Sequence, residues 1–242
     1  YAMQQGTGGT RNIAIGSNAL MHGGGIGSQD NVAIGASAMF GDTTGGTGNV
    51  SIGTSSLYNI HNGYSNVAIG RSALQSNYNA SNNVAIGALA ALSNVEGMET
   101  TAVGFYAMLY ANSSGTPFTT YNTAVGAYAL RGSTTAAANT GTSNVAIGHS
   151  VLLSNTTGTG NVGIGAQTGT VNAPLYANTT GSSNVAIGQA ALSTNTAKSQ
   201  STAVGYEAMR YADSGAAAAT GNTALGYQAL RGSTTAGNNT GT

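Results

Sequence analysis

The chain is 242 residues long, carries six basic and six acidic side chains, and contains 38 glycines and no cysteine. That balance excludes an electrostatic footprint for nucleic acid or anionic membrane, a disulfide framework, thiolate metal sites and cysteine nucleophiles. No run of 18 apolar residues occurs, so no helical membrane span is encoded. Gly, Asn, Ser and Thr dominate as in disordered chains, but β-branched residues recur at fixed offsets from glycine, which a disordered tract has no reason to keep.

From the N-terminal end onward, one pentapeptide sets the organisation. Asn144-Val145-Ala146-Ile147-Gly148 has counterparts whose glycines fall at Gly16, Gly35, Gly53, Gly70, Gly87, Gly104, Gly126, Gly148, Gly165, Gly188, Gly205 and Gly226. With the glycine as position zero, −4 is Asn in all copies but Thr100 and Ser201, and −3 is always Val, Ile or Thr. Position −2 is Ala, Ser51 or Gly163, and −1 is Ile, Val or Leu225. The alternation predicts a short strand over −3 to −1, closed at a corner where glycine permits positive φ or a close backbone approach. Ala or Ser at +3 and Leu or Met at +4 leave room for a second short strand. The asparagine column is expected either to bond its amides along the stack or to serve as a turn residue.

A period of 17 to 23 residues predicts a solenoid: an all-β repeat array, a parallel β-roll of about 12–13 coils spanning 1–242 as one body. Regular short coils occupy 1–104 and longer-loop coils 105–242, with both ends cut from a longer fibre, since Tyr1-Ala2-Met3 matches Tyr106-Ala107-Met108 and Thr235 to Thr242 tracks Thr135 to Thr142. Gly165 heads the weakest copy: Thr168-Gly169 stands in the Ala-Leu place and an insertion containing Pro174 follows. The segment from Arg131 to Ala136 returns as Arg231 to Ala236, so a super-repeat overlies the basic one. So thin a coil is short of core. If −3 and −1 fill the interior, the −2 alanines form a flat outer face. Ala33, Ala68, Ala85, Ala102, Ala124, Ala146, Ala186, Ala203 and Ala224 are then expected to meet sister chains.

The longer loops hold Tyr110, Phe118, Tyr121, Tyr176 and Tyr211, aromatics on a Ser/Thr/Asn background that suits a surface glycan or protein receptor. Catalysis is not expected. Gly158-Thr159-Gly160-Asn161-Val162-Gly163 matches the dinucleotide fingerprint but leads into a strand rather than a helix. His22, His61 and His149 share no metal-ligand spacing, and Glu96 and Glu99 are the only close carboxylates. No cofactor or metal is expected. Sequons at Asn49, Asn79, Asn112, Asn155, Asn178 and Asn238 are what this composition produces by chance.

The repeat Asn-Val-Ala-Ile-Gly-x-x-Ala-Leu resembles the head repeats of trimeric autotransporter adhesins. The variant Asn222-Thr223-Ala224-Leu225-Gly226-Tyr227-Gln228-Ala229-Leu230 resembles phage tail-fibre repeats. The resemblance implies a left-handed β-roll, a homotrimer, and an extracellular fibre segment that attaches a virion or cell to a host or surface. A passive spacer and an ice- or mineral-surface binder are the alternative expectations.

Overall fold

The computed structural model describes residues 9–21, 28–41, 45–111, 116, 118–211, 221–232 and 240–242. Tyr1-Ala2-Met3, His22, Asn112, residues 235–239 and the sequon at Asn238 lie outside them. The described residues are all-β apart from one 3₁₀ turn, Ala136–Ala138. They divide into two compact units, Tyr1–Tyr121 and Asn122–Thr242, and each is a parallel β-solenoid.

In the first unit β1 (Ile13–Ile15), β2 (Val32–Ile34), β3 (Val50–Ile52), β4 (Val67–Ile69) and β5 (Val84–Ile86) follow in turn. After them come β6 (Gly97–Met98), β7 (Thr101–Val103) and β8 (Phe118–Thr119). Strands β1 to β5 and then β7 pair in parallel, each residue opposite its repeat counterpart: Val67 lies against Val84, Ala68 against Ala85 and Ile69 against Ile86. Strands β6 and β8 form a separate parallel pair. In the second unit β9 (Thr123–Val125), β10 (Val145–Ile147), β11 (Val162–Ile164), β12 (Val185–Ile187), β13 (Thr202–Val204) and β14 (Thr223–Leu225) stack the same way. A last strand, β15 (Thr240–Gly241), adds to β14, pairing Thr240 with Thr223 and Gly241 with Ala224. The two stacks together make about 11 turns, against the 12–13 expected.

The faces are the reverse of the sequence expectation. Ala33, Ala68, Ala85, Ala102, Ala124, Ala146, Ala186, Ala203 and Ala224 are all fully buried within the single chain, while −3 and −1 point outward. The alanines therefore have no surface left to offer a sister chain. Volume, rather than hydropathy, decides the orientation. An ideal Cβ built on Gly163 lies only 2.5 Å from Val151 Cγ1, so −2 and +3 share one small space that a valine at +3 fills alone and that cannot take a branched side chain on one side and even a methyl on the other. The core proper is the +4 column, with Leu20, Met39, Leu57, Leu74, Leu152, Leu175 and Met209 among its fully buried members.

No second strand forms at +3 and +4, the place expected for it. Residues at +2 and +4 adopt positive φ, as in Ser72 (57°) and Leu74 (50°), and so do residues at −5, as in Asn82 (61°). Each left-handed residue redirects one amide. Ser72 N–H donates to Thr54 O of the preceding coil at 2.9 Å, and Leu74 N–H to Ala90 O of the following coil at 3.0 Å. The conformational cost, about 1–2 kcal/mol per non-glycine residue, is offset by bonds made only when neighbouring coils are present. At the corner both sequence-stated reasons for glycine hold together: Gly87 has φ 131°, and a Cβ there would sit 2.6 Å from Gly104 O.

Coil 165 departs from its expected alignment. Ala190 N–H donates to Asn172 O, Leu152 N–H to Pro174 O and Leu175 N–H to Ala191 O. Those bonds put Asn172 at +1 towards the following coil and Pro174-Leu175 in the Ala-Leu place, while Gln167 N–H still donates to His149 O of the preceding coil, so Thr168-Gly169 lies in the insertion.

Candidate functional site

The asparagine column is a continuous amide ladder buried in each unit. Asn66 Nδ2 donates to Asn49 Oδ1 at 3.0 Å and to Ala80 O at 2.9 Å, while its own Oδ1 accepts Asn83 N–H at 3.0 Å and Asn83 Nδ2 at 3.1 Å. In the second unit another column joins it: Asn144 Nδ2 and Asn155 Nδ2 both donate to Gly158 O, at 2.9 and 3.0 Å. Every polar atom here is consumed internally, so these asparagines are scaffold.

What the scaffold displays is an apolar strip. On the second unit Val125, Ile147, Ile164, Ile187 and Leu225 are each 36–57% exposed, and the −3 column beside them consists of Val and Thr. On the first unit Ile86 is 38% exposed, with Ile13 and Ile15 more so. Parallel strands repeat every ~4.8 Å, so each strip is a ladder of apolar side chains, Val or Ile at every rung but Leu225. Solitary exposed apolar residues are ordinary, but a continuous column marks a surface made to be covered or to bind.

Of the aromatics expected to bind ligand, Tyr121 is 60% exposed and Tyr211 43%, whereas Tyr110, Phe118 and Tyr176 are half-buried. Tyr110, Phe118 and Tyr121 lie along the segment after Gly104, Phe118 within β8, and Tyr176 and Tyr211 belong to separate coils of the second unit. More ordered aromatics went unremarked in the sequence. Phe40 stacks on Tyr58 with ring centroids 5.0 Å apart, His61 on Tyr78 at 4.6 Å, and Tyr206 on Tyr227 at 5.4 Å. Tyr227 is the most exposed of these rings, at 74%. Each pair shares one offset from its glycine, +5, +8 and +1 respectively. In-register coils place equal offsets on adjacent rungs, and that is the signal by which the pairs are readable.

The densest charge lies in the coils of Gly205 and Gly226. Glu207, buried, accepts from Arg210 Nη1 on one oxygen; the other accepts from Gln228 Nε2 at 2.8 Å and is ion-paired with Arg231. Burial pushes its carboxyl up, but the bonds from Arg210, Gln228 and Arg231 outweigh it and hold the group below its ordinary value. Both guanidiniums lie 5.0 Å from the Tyr211 ring centroid. A second salt bridge, Arg11 with Asp30, is exposed and contributes little.

Among the described residues no group of three or more His, Asp or Glu is placed to hold a metal ion. His61 is occupied by its stack, and His149 Nδ1 lies 3.3 Å from Ser150 Oγ beside Tyr128. The glycine fingerprint ends in β11, with Gly163 at its middle, and no helix follows it among the described residues. Compared with protein-family models, with curated proteins and with solved structures, the chain has no match.

Proposed function

We propose that this chain is a segment of an extracellular adhesive fibre, a left-handed, homotrimeric β-roll that joins a virion or cell to a host or surface. The observation that carries the reading is the outward Val/Ile ladder. Five side chains of the second unit, each about two-fifths exposed or more, leave roughly two whole side chains of apolar surface unburied. Covering them is worth roughly 3–6 kcal/mol per protomer, before the −3 column is added. The sister chains thus meet through −3 and −1, and the −2 alanines stay inside each coil. Trimer number and handedness rest on the resemblance to autotransporter heads and tail-fibre repeats. The role has no need of a cofactor or a catalytic residue; the partners are the chain's own copies and a glycan or protein receptor.

The test is mass in solution by light scattering, for the chain and for Ile147→Lys, which sets a charge in the middle of the ladder. A trimer that the substitution reduces to folded monomer supports the proposal. A monomeric parent chain defeats it. The same ladder favours one second reading, an ordered-surface binder, and a monomer that depresses ice growth would establish that instead.

A further inference from the structure

We infer that Arg210, Arg231 and Tyr211 form a recognition site for a single oxyanion, carboxylate or sulfate, carried on a saccharide; this deepens the adhesive reading and rests on it only for its purpose. The solenoid builds the site by register. Arg210 and Arg231 both occupy +5 in consecutive coils, and Tyr211 follows Arg210, its N–H donating to Arg231 O at 2.9 Å. Both arginines therefore project from neighbouring rungs of one edge, each guanidinium 5.0 Å from the centroid of the tyrosine ring.

Charge and donor accounting leave capacity outward. Glu207 neutralises one of the two guanidiniums, so the group keeps one net positive charge. Each guanidinium has five N–H donors, and each spends one nitrogen on Glu207. No hydrogen bond from the remaining nitrogens to a described residue is present. Arg231 is 39% exposed and Tyr211 43%, against 19% for Arg210, and both Nε atoms are buried, so the donors that face outward are chiefly the terminal nitrogens of Arg231 beside the tyrosine ring. The second arginine is more than Glu207 requires. One super-repeat earlier the arginine returns as Arg131, while Tyr106 stands at the position of Glu207. The arginine is thus retained where its carboxylate is not. A planar fork beside an aromatic edge fits a carboxylate or sulfate bidentately and gives the attached sugar ring a C–H surface to rest on. A polyanion is disfavoured, because the chain is electrically neutral and this edge offers two cations rather than a stripe.

The experiment titrates the intact chain with three probes, watched by ligand-observed NMR: methyl sialoside, galactose 6-sulfate and neutral methyl galactoside. Saturable binding of one or both acidic sugars and none of the neutral one is expected, weakening as salt rises from about 0.05 to 0.5 M. Which acidic sugar binds identifies the oxyanion. Arg231→Gln, which can still donate to Glu207, should weaken binding at least about tenfold with little change in melting. Glu207→Gln removes the internal competitor and should tighten binding by up to about tenfold, provided the coil stays folded. Absence of saturable acidic-sugar binding, or equal affinity in the parent chain and Arg231→Gln, overturns the site and reduces the group to an internal staple. Light scattering separates the two proposals: a trimer without acidic-sugar binding loses only this site, and a monomer that binds loses only the assembly.

Discussion

The interior pair Val151 and Gly163 gives the sharpest test of how the coil is filled. All other −2 positions hold Ala or Ser, and all other +3 positions Ala or Ser apart from Pro174. In this one place +3 has grown to valine and −2 on the next rung has shrunk to glycine. A methyl group on Gly163 would meet Val151 Cγ1 at 2.5 Å. Gly163→Ala alone is therefore overpacked and should cost about 1–3 kcal/mol. Val151→Ala alone removes two fully buried carbons and leaves a hole, at a cost of about 2–3 kcal/mol. The double variant restores the arrangement of the other coils. It also replaces a strand glycine by alanine, which favours the fold by about 0.5–1 kcal/mol. It should match or exceed the parent chain, with a coupling of about 3 kcal/mol or more. Urea unfolding followed by circular dichroism, at one fixed protein concentration, measures all four chains. If the double variant is as unstable as the two single losses added together, the two residues do not share a space and the inward assignment of −2 is wrong.

Two further outcomes follow from the buried polar groups. Asn66→Leu breaks the ladder and strands Ala80 O and both donors of Asn83, and should cost about 3–5 kcal/mol in urea unfolding. Asn77 is equally buried but neither amide atom has a partner among the described residues, and Ile60 fills the same +7 offset one coil earlier, so Asn77→Leu should be neutral or stabilising. Equal damage from the two would show that the amide bonds of the ladder carry no weight. Glu207 gives a pH signature. Its folded carboxyl titrates below the ordinary 4.5, so its contribution to stability is complete above that value and is lost as pH falls through the folded pKa. The melting temperature of the parent chain should fall more steeply below pH 4.5 than that of Glu207→Gln; parallel curves would show that the arginines do not stabilise the carboxylate.

The repeat made the architecture legible because twelve glycines at near-regular intervals leave a solenoid little competition, and in-register pairing of like offsets follows directly. The strands over −3 to −1 and the asparagine ladder were readable for the same reason. The inside and outside of the strand were not. Val and Ile exceed Ala in hydropathy, and a hydropathy pattern assigns them inward, whereas the 2.5 Å between an added Gly163 Cβ and Val151 Cγ1 shows that the space shared by −2 and +3 is too small for branched side chains at −2. The left-handed residues at +2 and +4 were illegible for a related reason. Leu74 and Met39 are unexpected at positive φ, and only the bonds from coil to coil hold them there. Coil 165 was misaligned because Pro174 replaces the usual Ala at +3, so spacing from Gly165 alone counted the insertion as part of the coil. Among the candidate ligand residues, Tyr211 gained neighbours of consequence only through register, since Arg231 lies 20 residues away in sequence and one rung away in space.

The small interior also bears on the proposed assembly. A coil whose inner column admits only Ala, Ser or Gly gains core mainly from Leu or Met at +4, and its asparagines occupy volume that a larger protein would give to apolar side chains. Its β-branched residues, which favour strand geometry, then have no place but the outer face. The feature that makes the strand form is thus the one that leaves it apolar outside. Selection for a longer array multiplies that strip rung by rung and deepens no core, because solenoids grow in one dimension. Charge on the strip would relieve it, yet among the twelve copies no −3 or −1 residue is charged. A strip kept uncharged over every rung is best accounted for by a surface that is covered when the protein works, and the Ile147→Lys variant asks that question of a single rung.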